Sequence, residues 1–494
     1  MNDSANRHGK VRRAARRAAR LAAWPKAFAA YAAGKWMAIA AGRRMAKTAQ
    51  RLRLSERAVR ELQAAWAKQQ AYPAGAANAL LEAAKEPGTT EHPGSGGASV
   101  VSGSWSSGVL PGQLQPIPAP ALGERERAIL HRIREETGRL NRNNATRTEA
   151  YRALYFRAPK LHWALLAHMV SRNGGWNMTD LQGELLPRLL DAEKREATFR
   201  MLERANALIF HDAYPQLLLY EEGKRLGRDL SWLLPALGVS GFMVPVWKQF
   251  SRRQDPVPLT VALIVNEQHY IEERVVRHPE YRKSVLDTMF FGFQSLLQLN
   301  QVVFPYKLDC TIDADRRNNP KPDGLHKNTG GGLRLAGLIL DNFDDLHERI
   351  EFGKRLYAVL FGIPEIREGV HRFALAVRHT GSRADYAPHL FAQVRQRPPQ
   401  RPYRERLAGL KLRQGADPLY SPRLGDAWPD LRVMSAEPGD WFTDEAANPR
   451  RIDRFFQALP LPTVFEITNE YGFGLGKLEM AVMAAEELSA GRFG

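Results

Sequence analysis

The stretch Leu161–Asp180, L-H-W-A-L-L-A-H-M-V-S-R-N-G-G-W-N-M-T-D, decides how the chain is read. Leu161, Leu165, His168 and Arg172 recur at helical spacing, and Trp163, Leu166 and Val170 form a second line, so nearly the whole circumference of a helix is apolar. A helix greasy on all sides is buried, and it carries His162 and His168 inside with it. A buried imidazole without a hydrogen-bond partner costs about 1–3 kcal/mol. Six residues of separation set the two histidines about 240° apart on a regular helix, so they cannot hold one metal ion together. Pro159 suits the first helical position, Asn173-Gly174-Gly175 predicts an αL-type stop, and Asn177, Thr179 and Asp180 offer capping oxygens to the next helix. Two readings of this corner stand side by side: satisfied core histidines, or a site lined by His168, Arg172, Asn173 and Asp180.

On both sides of this corner the sequence reads helix after helix. Periodicity and breakers predict helices over 123–137, 147–156, 181–190, 192–210, 216–226, 244–251, a long one from 258, then 289–299, 333–340, 343–361, 365–377, 451–459 and 475–488. Strand-like alternation is scarce, and V-F-P-Y-K-L-D-C-T-I-D (303–313) is short, so the fold class is mainly α, a single large multi-helix globular body. No repeat of solenoid length is present. Two connections, 305–332 and 382–433, are rich in Arg, Asp, Asn, Gly and Pro and long enough to suggest functional loops.

The charge is unevenly placed. Of a net +18 over 494 residues, residues 1–70 hold 17 Lys and Arg against 3 Asp and Glu, a surplus of 14, leaving the rest of the chain almost balanced. This defines an Ala/Arg-rich helical arm over 1–85, a Pro/Gly/Ser-rich linker over 86–123 and a helical body over 124–494. In the arm, Trp24, Phe28 and Tyr31 share a face behind Arg13, Arg16, Arg17 and Arg20, and Ser55 starts a second helix with Leu54, Val59, Leu62 and Trp66 as its stripe. Four readings of the arm are open: an interfacial helix on an anionic membrane through residues 1–50, phosphate contact with nucleic acid, docking on the protein's own body or a partner helix, or targeting. The membrane reading is carried forward, with a cytoplasmic body at the inner face. Lys26, Pro25 and Lys35 disfavour a transmembrane span. One cysteine, Cys310, excludes an internal disulfide and a thiolate zinc site.

The segments T-R-T-E-A-Y (146–151), H-W-A-L-L-A-H-M-V-S-R-N-G-G-W-N-M-T-D-L (162–181), H-T-G-S-R-A-D-Y-A-P-H-L-F (379–391) and L-Y-S-P-R-L (419–424) resemble the YppC-like proteins, an uncharacterised bacterial family catalogued as a domain of unknown function. The resemblance spans about residues 125–490. It implies a bacterial source and one helical domain, and brings no catalytic residue.

Three constellations carry candidate chemistry. The loop His379–His389 gathers His379, Arg383, Asp385, Tyr386 and His389, types suited to an anionic ligand or a proton transfer. Together with His168, Arg172, Asn173 and Asp180 they would make a hydrolase-like pocket. Asn266-x-x-His269-x-x-x-Glu273 and Asp344-x-x-His347-x-x-x-Glu351 each put imidazole and carboxylate on one helical face, an arrangement a divalent metal can use, so His269, Glu273, Asp344, His347 and Glu351 are candidate ligands. Three glycines before Leu333 resemble a phosphate-holding helix start but match no Walker or Rossmann spacing. The expected function is a non-enzymatic binding protein held peripherally at a membrane or the cell envelope, with a hydrolase-like enzyme and a nucleic-acid-associated protein as alternatives.

Overall fold

The computed structural model describes residues 32–70, 122–288, 300–307, 332–431, 439–442 and 452–491. The readings on Arg13–Tyr31, Cys310, the 289–299 helix and the linker lie outside them. The architecture is mainly helical. In chain order come α1 (32–46), α2 (Glu56–Gln70), α3 (Glu124–Leu140), α4 (Asn144–Arg157), α5 (His162–Asp180), α6 (Ala192–Leu226), α7 (Met243–Arg253), α8 (Pro256–Ile271), β1 (Gln301–Lys307), β2 (Arg334–Ile339), α9 (Leu346–Gly362), α10 (Pro364–Ala376), β3 (Phe391–Ala392), β4 (Leu419–Tyr420) and α11 (Thr468–Gly491).

The apolar helix read from sequence is the centre of the molecule: 15 of the 19 residues of α5 are buried, and α4, α6, α8 and α9 all pack on it. It departs from expectation at both ends. Pro159 lies in a turn, and the helix begins only at His162. Asn173-Gly174-Gly175 does not stop it; the helix runs on to Asp180 because tertiary contacts use all three residues. Asn173 donates to Met169 O at 2.9 Å and exchanges two hydrogen bonds with the Val303 backbone, both 2.9 Å, so its amide acts as a strand partner for β1.

Other predicted elements were redrawn by packing. The helices expected at 192–210 and 216–226 are one 35-residue helix, α6, that carries Pro215 in its interior. Residues 212–217 are all buried, and that burial overrides the local cost of proline. Residues 181–190 keep only a 3₁₀ turn, Leu186–Arg188, and the described part of 451–459 has two helical residues, 452–453, running into a 3₁₀ turn, Arg454–Phe456. The helix expected at 333–340 is instead the strand β2. It pairs antiparallel with β1, Val303 opposite Gly337, so no helix start exists there to hold phosphate. A run of eight apolar-rich residues is too short for periodicity to separate strand from buried helix.

The stretch read as a separate arm is, over residues 32–70, seated on the body. Leu62 and Trp66 of α2 belong to the same apolar core as Leu165, Phe242 and Leu360. Trp66 stacks on Phe242 at 4.8 Å, and its indole N–H donates to Phe242 O at 2.9 Å. Gln249 Nε2 donates to Ala58 O, and Gln50 N to Gly362 O. The apolar stripe that ends in Leu62 and Trp66 has to be covered somewhere, and α7 covers it.

Candidate functional site

The structure brings the predicted corner and the predicted loop together. The backbone of α4 and α5 sets the first half. His168 Nδ1 donates to Thr148 O at 2.8 Å, which leaves Nε2 as the acceptor for Arg172 Nε at 3.0 Å. The imidazole is therefore the neutral tautomer, and burial, helped by the Arg172 charge, holds it well below the usual histidine range. Arg172 also donates to Val377 O and lies 4.6 Å over the Phe373 ring; burial pulls its guanidinium down to about 10.

Asn144 joins this half to the loop. Its amide nitrogen donates to Ser171 O and Oγ, so its oxygen accepts from His379 Nε2 at 2.9 Å. Ser171 Oγ in turn meets Thr148 Oγ1 at 2.6 Å. His379 Nδ1 lies 3.6 Å from Asp385, whose carboxylate folds the loop by accepting from Thr380 N and Oγ1. Burial holds His379 below its ordinary pKa. Glycine is required where these parts cross: a Cβ on Gly175 would come within 2.4 Å of Asn144 Oδ1 and 2.6 Å of His379 Nε2.

Arg383 closes the second half. It donates to Asp180 from Nε at 2.7 Å and to the Tyr386 and Tyr471 hydroxyls from Nη1 at 2.7 and 3.2 Å; Nη2 reaches Asn177. The two phenols meet at 2.6 Å, and Tyr386 packs on Trp176 at 4.4 Å. Arg383 thereby ties the end of α5 to the loop and to α11. His389 sits apart from this set, half-buried at the loop's far end.

This network has the residue types of a catalytic centre in the arrangement of a structural one. His168, Arg172, Asn173, His379, Arg383 and Tyr386 are all buried, and both nitrogens of His168 are engaged within the protein. What the geometry does is fasten α4, α5, α11 and the 379–391 loop through groups that are costly to bury unpaired. Sequence reading missed Asn144, Thr148, Ser171 and Tyr471. The only available signal was the placement of Asn144 and Thr148 four apart on an otherwise weakly amphipathic helix.

The proposed metal ligands are engaged elsewhere. His269 bonds Val265 O at 2.8 Å and stacks on Trp441 at 4.1 Å; Asp344 pairs with Arg282 and Glu351 with Lys354. His347 packs on Phe455. Among the described residues no three His, Cys, Asp or Glu side chains gather as a metal site would require, Glu273 included.

A second candidate is a surface. Trp36 and Met37 are 70% and 64% exposed on α1. Arg43 and Arg44 follow at seven-residue spacing, hence on the same face. Lys35, Lys47, Arg51 and Arg53 are exposed nearby, and residues 32–55 contain no Asp or Glu. Arg43, Arg51 and Arg53 also line a groove of about 930 Å³ between this segment and residues 457–465.

Fold and site thus define a mainly helical protein built round a sealed polar network, with a cationic face formed by a segment, residues 32–55, that carries no Asp or Glu. Residues 139–458 match the family described as Protein of unknown function (DUF2515). The chain is 34% identical over 346 residues to the uncharacterized protein YppC of Bacillus subtilis (strain 168), covering 70% of this chain and 91% of YppC. The chain belongs to this family of unknown function. No solved structure matches significantly. The matched region contains α5 and the 379–391 loop, and the cationic face lies outside it.

Proposed function

We propose that this chain is a non-enzymatic binding protein that docks peripherally on an anionic membrane surface. The observation that carries the reading is the exposed Trp36–Met37 pair on the same helical face as Arg43 and Arg44, in a segment without a carboxylate and fixed to a rigid body. Trp and Met are suited to the headgroup zone, and each Lys or Arg near an anionic surface contributes about 1 kcal/mol. Asn469 Nδ2 donates to Gly34 O and so anchors α1 to α11, which supports presentation of the face in a fixed orientation. Among the described residues no helix is long and apolar enough to cross a membrane.

Cosedimentation of the full chain with phosphatidylcholine vesicles, with and without phosphatidylglycerol, tests this. Binding is expected only with the anionic lipid, weakened by salt and by Trp36→Ala/Met37→Ala, and lost on Arg43→Glu/Arg44→Glu. Binding indifferent to both double substitutions would remove the face from the account. Absence of vesicle binding together with salt-sensitive binding to duplex DNA would replace it with nucleic-acid association.

A further inference from the structure

Between α4, α5, α6, α8, α9 and β1 lies a cavity of about 240 Å³ that meets the network above only at Ser171 and Asn206. Its walls are hydrocarbon: Leu166 and Val170 from α5, Met201 and Ile209 from α6, Phe352 and Leu356 from α9. Polar groups break that lining: Ser171, Asn206 and Gln268 are already hydrogen-bonded within the protein, and Tyr151, Asn300 and Glu267 are the ones that bear on a ligand. The Tyr151 hydroxyl is buried and has no partner among the described residues; neither has the side-chain oxygen of Asn300. Glu267 closes the α8 side, its Oε2 accepting from Trp163 Nε1 at 3.1 Å. The one cation in the lining, Arg349, spends its donors on Gln268, Phe343 O and Glu272.

We propose that this cavity binds a small uncharged molecule, mostly hydrocarbon, that carries a single hydroxyl or carbonyl oxygen. A hydroxyl satisfies both groups, accepting from Tyr151 and donating to Asn300 Oδ1, and a carbonyl oxygen satisfies the Tyr151 donor alone. The size fits: the cavity is below the roughly 300–1,000 Å³ of pockets for drug-sized ligands, so it suits a medium-length chain or a single ring. The charge fits as well. No free cation faces the cavity to hold an anionic headgroup, and burial pushes the Glu267 carboxyl up to about 8, so at neutral pH it is protonated and adds a second donor. An apolar run that ends in one carboxyl, P-V-P-L-T-V-A-L-I-V-N-E, is the sequence trace of this arrangement.

Titration calorimetry of the full chain without vesicles, using 1-octanol, 2-octanone and octanoate at pH 7, tests the proposal. Saturable binding of octanol and octanone is expected, roughly ten-fold or more tighter than octanoate. Tyr151→Phe should weaken octanol several-fold while raising the melting temperature of the free protein, because it deletes a hydroxyl that has no partner until ligand arrives. Ala205→Phe, which fills the space, should abolish binding. Octanoate binding as tightly as octanol, no saturable binding of either neutral probe, or full affinity in a folded Ala205→Phe protein would each overturn the assignment. Should Ala205→Phe fail to fold, the paired effect of Tyr151→Phe on affinity and melting decides it: unchanged octanol affinity rejects the site.

Discussion

Gly175 stands where α5 passes under the 379–391 loop, and there the backbone leaves no room for a methyl group. Gly175→Ala is expected to cost about 2–3 kcal/mol, read as a lower urea midpoint at unchanged slope, since either His379 or Asn144 must move and break the hydrogen bond between them. Glu267 gives a prediction of a different kind. Its folded pKa lies near 8 against an ordinary 4.5, so between those values the folded state holds a proton that the unfolded state has released, and stability falls as pH rises. The buried histidines His162, His168 and His379 act in the opposite sense, losing stability as pH falls below about 6.5, so they leave the window above pH 7 undisturbed. Asp212, raised by burial to about 7 and bonded by Asn266 and Gln216, adds to the lower part of that window. From pH 7 to 8 the protein is expected to lose about 1 kcal/mol that Glu267→Gln does not lose. Equal slopes in the two proteins would show that the carboxyl is already ionised. At this scale the sequence was informative about residue type and poor about partners. His168, Arg172, His379 and Arg383 were legible as one set because a greasy helix and a polar loop are both local patterns. Asn144, which joins them, looked like any helix-start residue, because its role depends on a histidine 235 positions away.

Among the elements, α2 shows how a correct helix can be assigned to the wrong place. Its stripe of Leu62 and Trp66 was readable, but its charge made it look like part of a free arm, whereas Trp66 is 2% exposed beneath Phe242 and Phe456. Trp66→Ala is expected to cost about 3–5 kcal/mol and to release α2, so that proteolysis within 56–70 accelerates while the body survives. Resistance to cleavage equal to wild type would mean that α2 is held by its polar contacts, Gln249 with Ala58 and Arg253 with Glu61. β2 was misread for a related reason. Its identity comes from β1, about thirty residues earlier, and from segment 465–468, so neither helix nor strand was written in residues 333–340 alone. Elements whose own apolar face sufficed, such as α5, α8 and α9, appeared where the pattern put them; α9 matches within three residues at each end and α8 starts two residues early, whereas α5 runs past its expected stop at 173–175 to Asp180.

For the whole molecule, the division into a charged arm and a neutral body holds for charge and fails for packing over residues 32–70. Those residues share the body's core, so deleting residues 1–70 is expected to lower the melting temperature by several degrees relative to deleting residues 1–31, quite apart from any effect on vesicles. Coincident melting of the two truncated forms would mean that α1 and α2 are seated without contributing to stability. The two-stranded sheet has a consequence at the same scale. One margin of β1 is occupied by the Asn173 amide, and β2 is met by Phe465 O, Ile467 N and the Thr468 hydroxyl. Backbone at Val303 and at Leu335–Gly337 is therefore not on offer for strand borrowing, so at these positions a partner would have to be recognised by side chains, through shape and charge, and not by templated pairing of main chains.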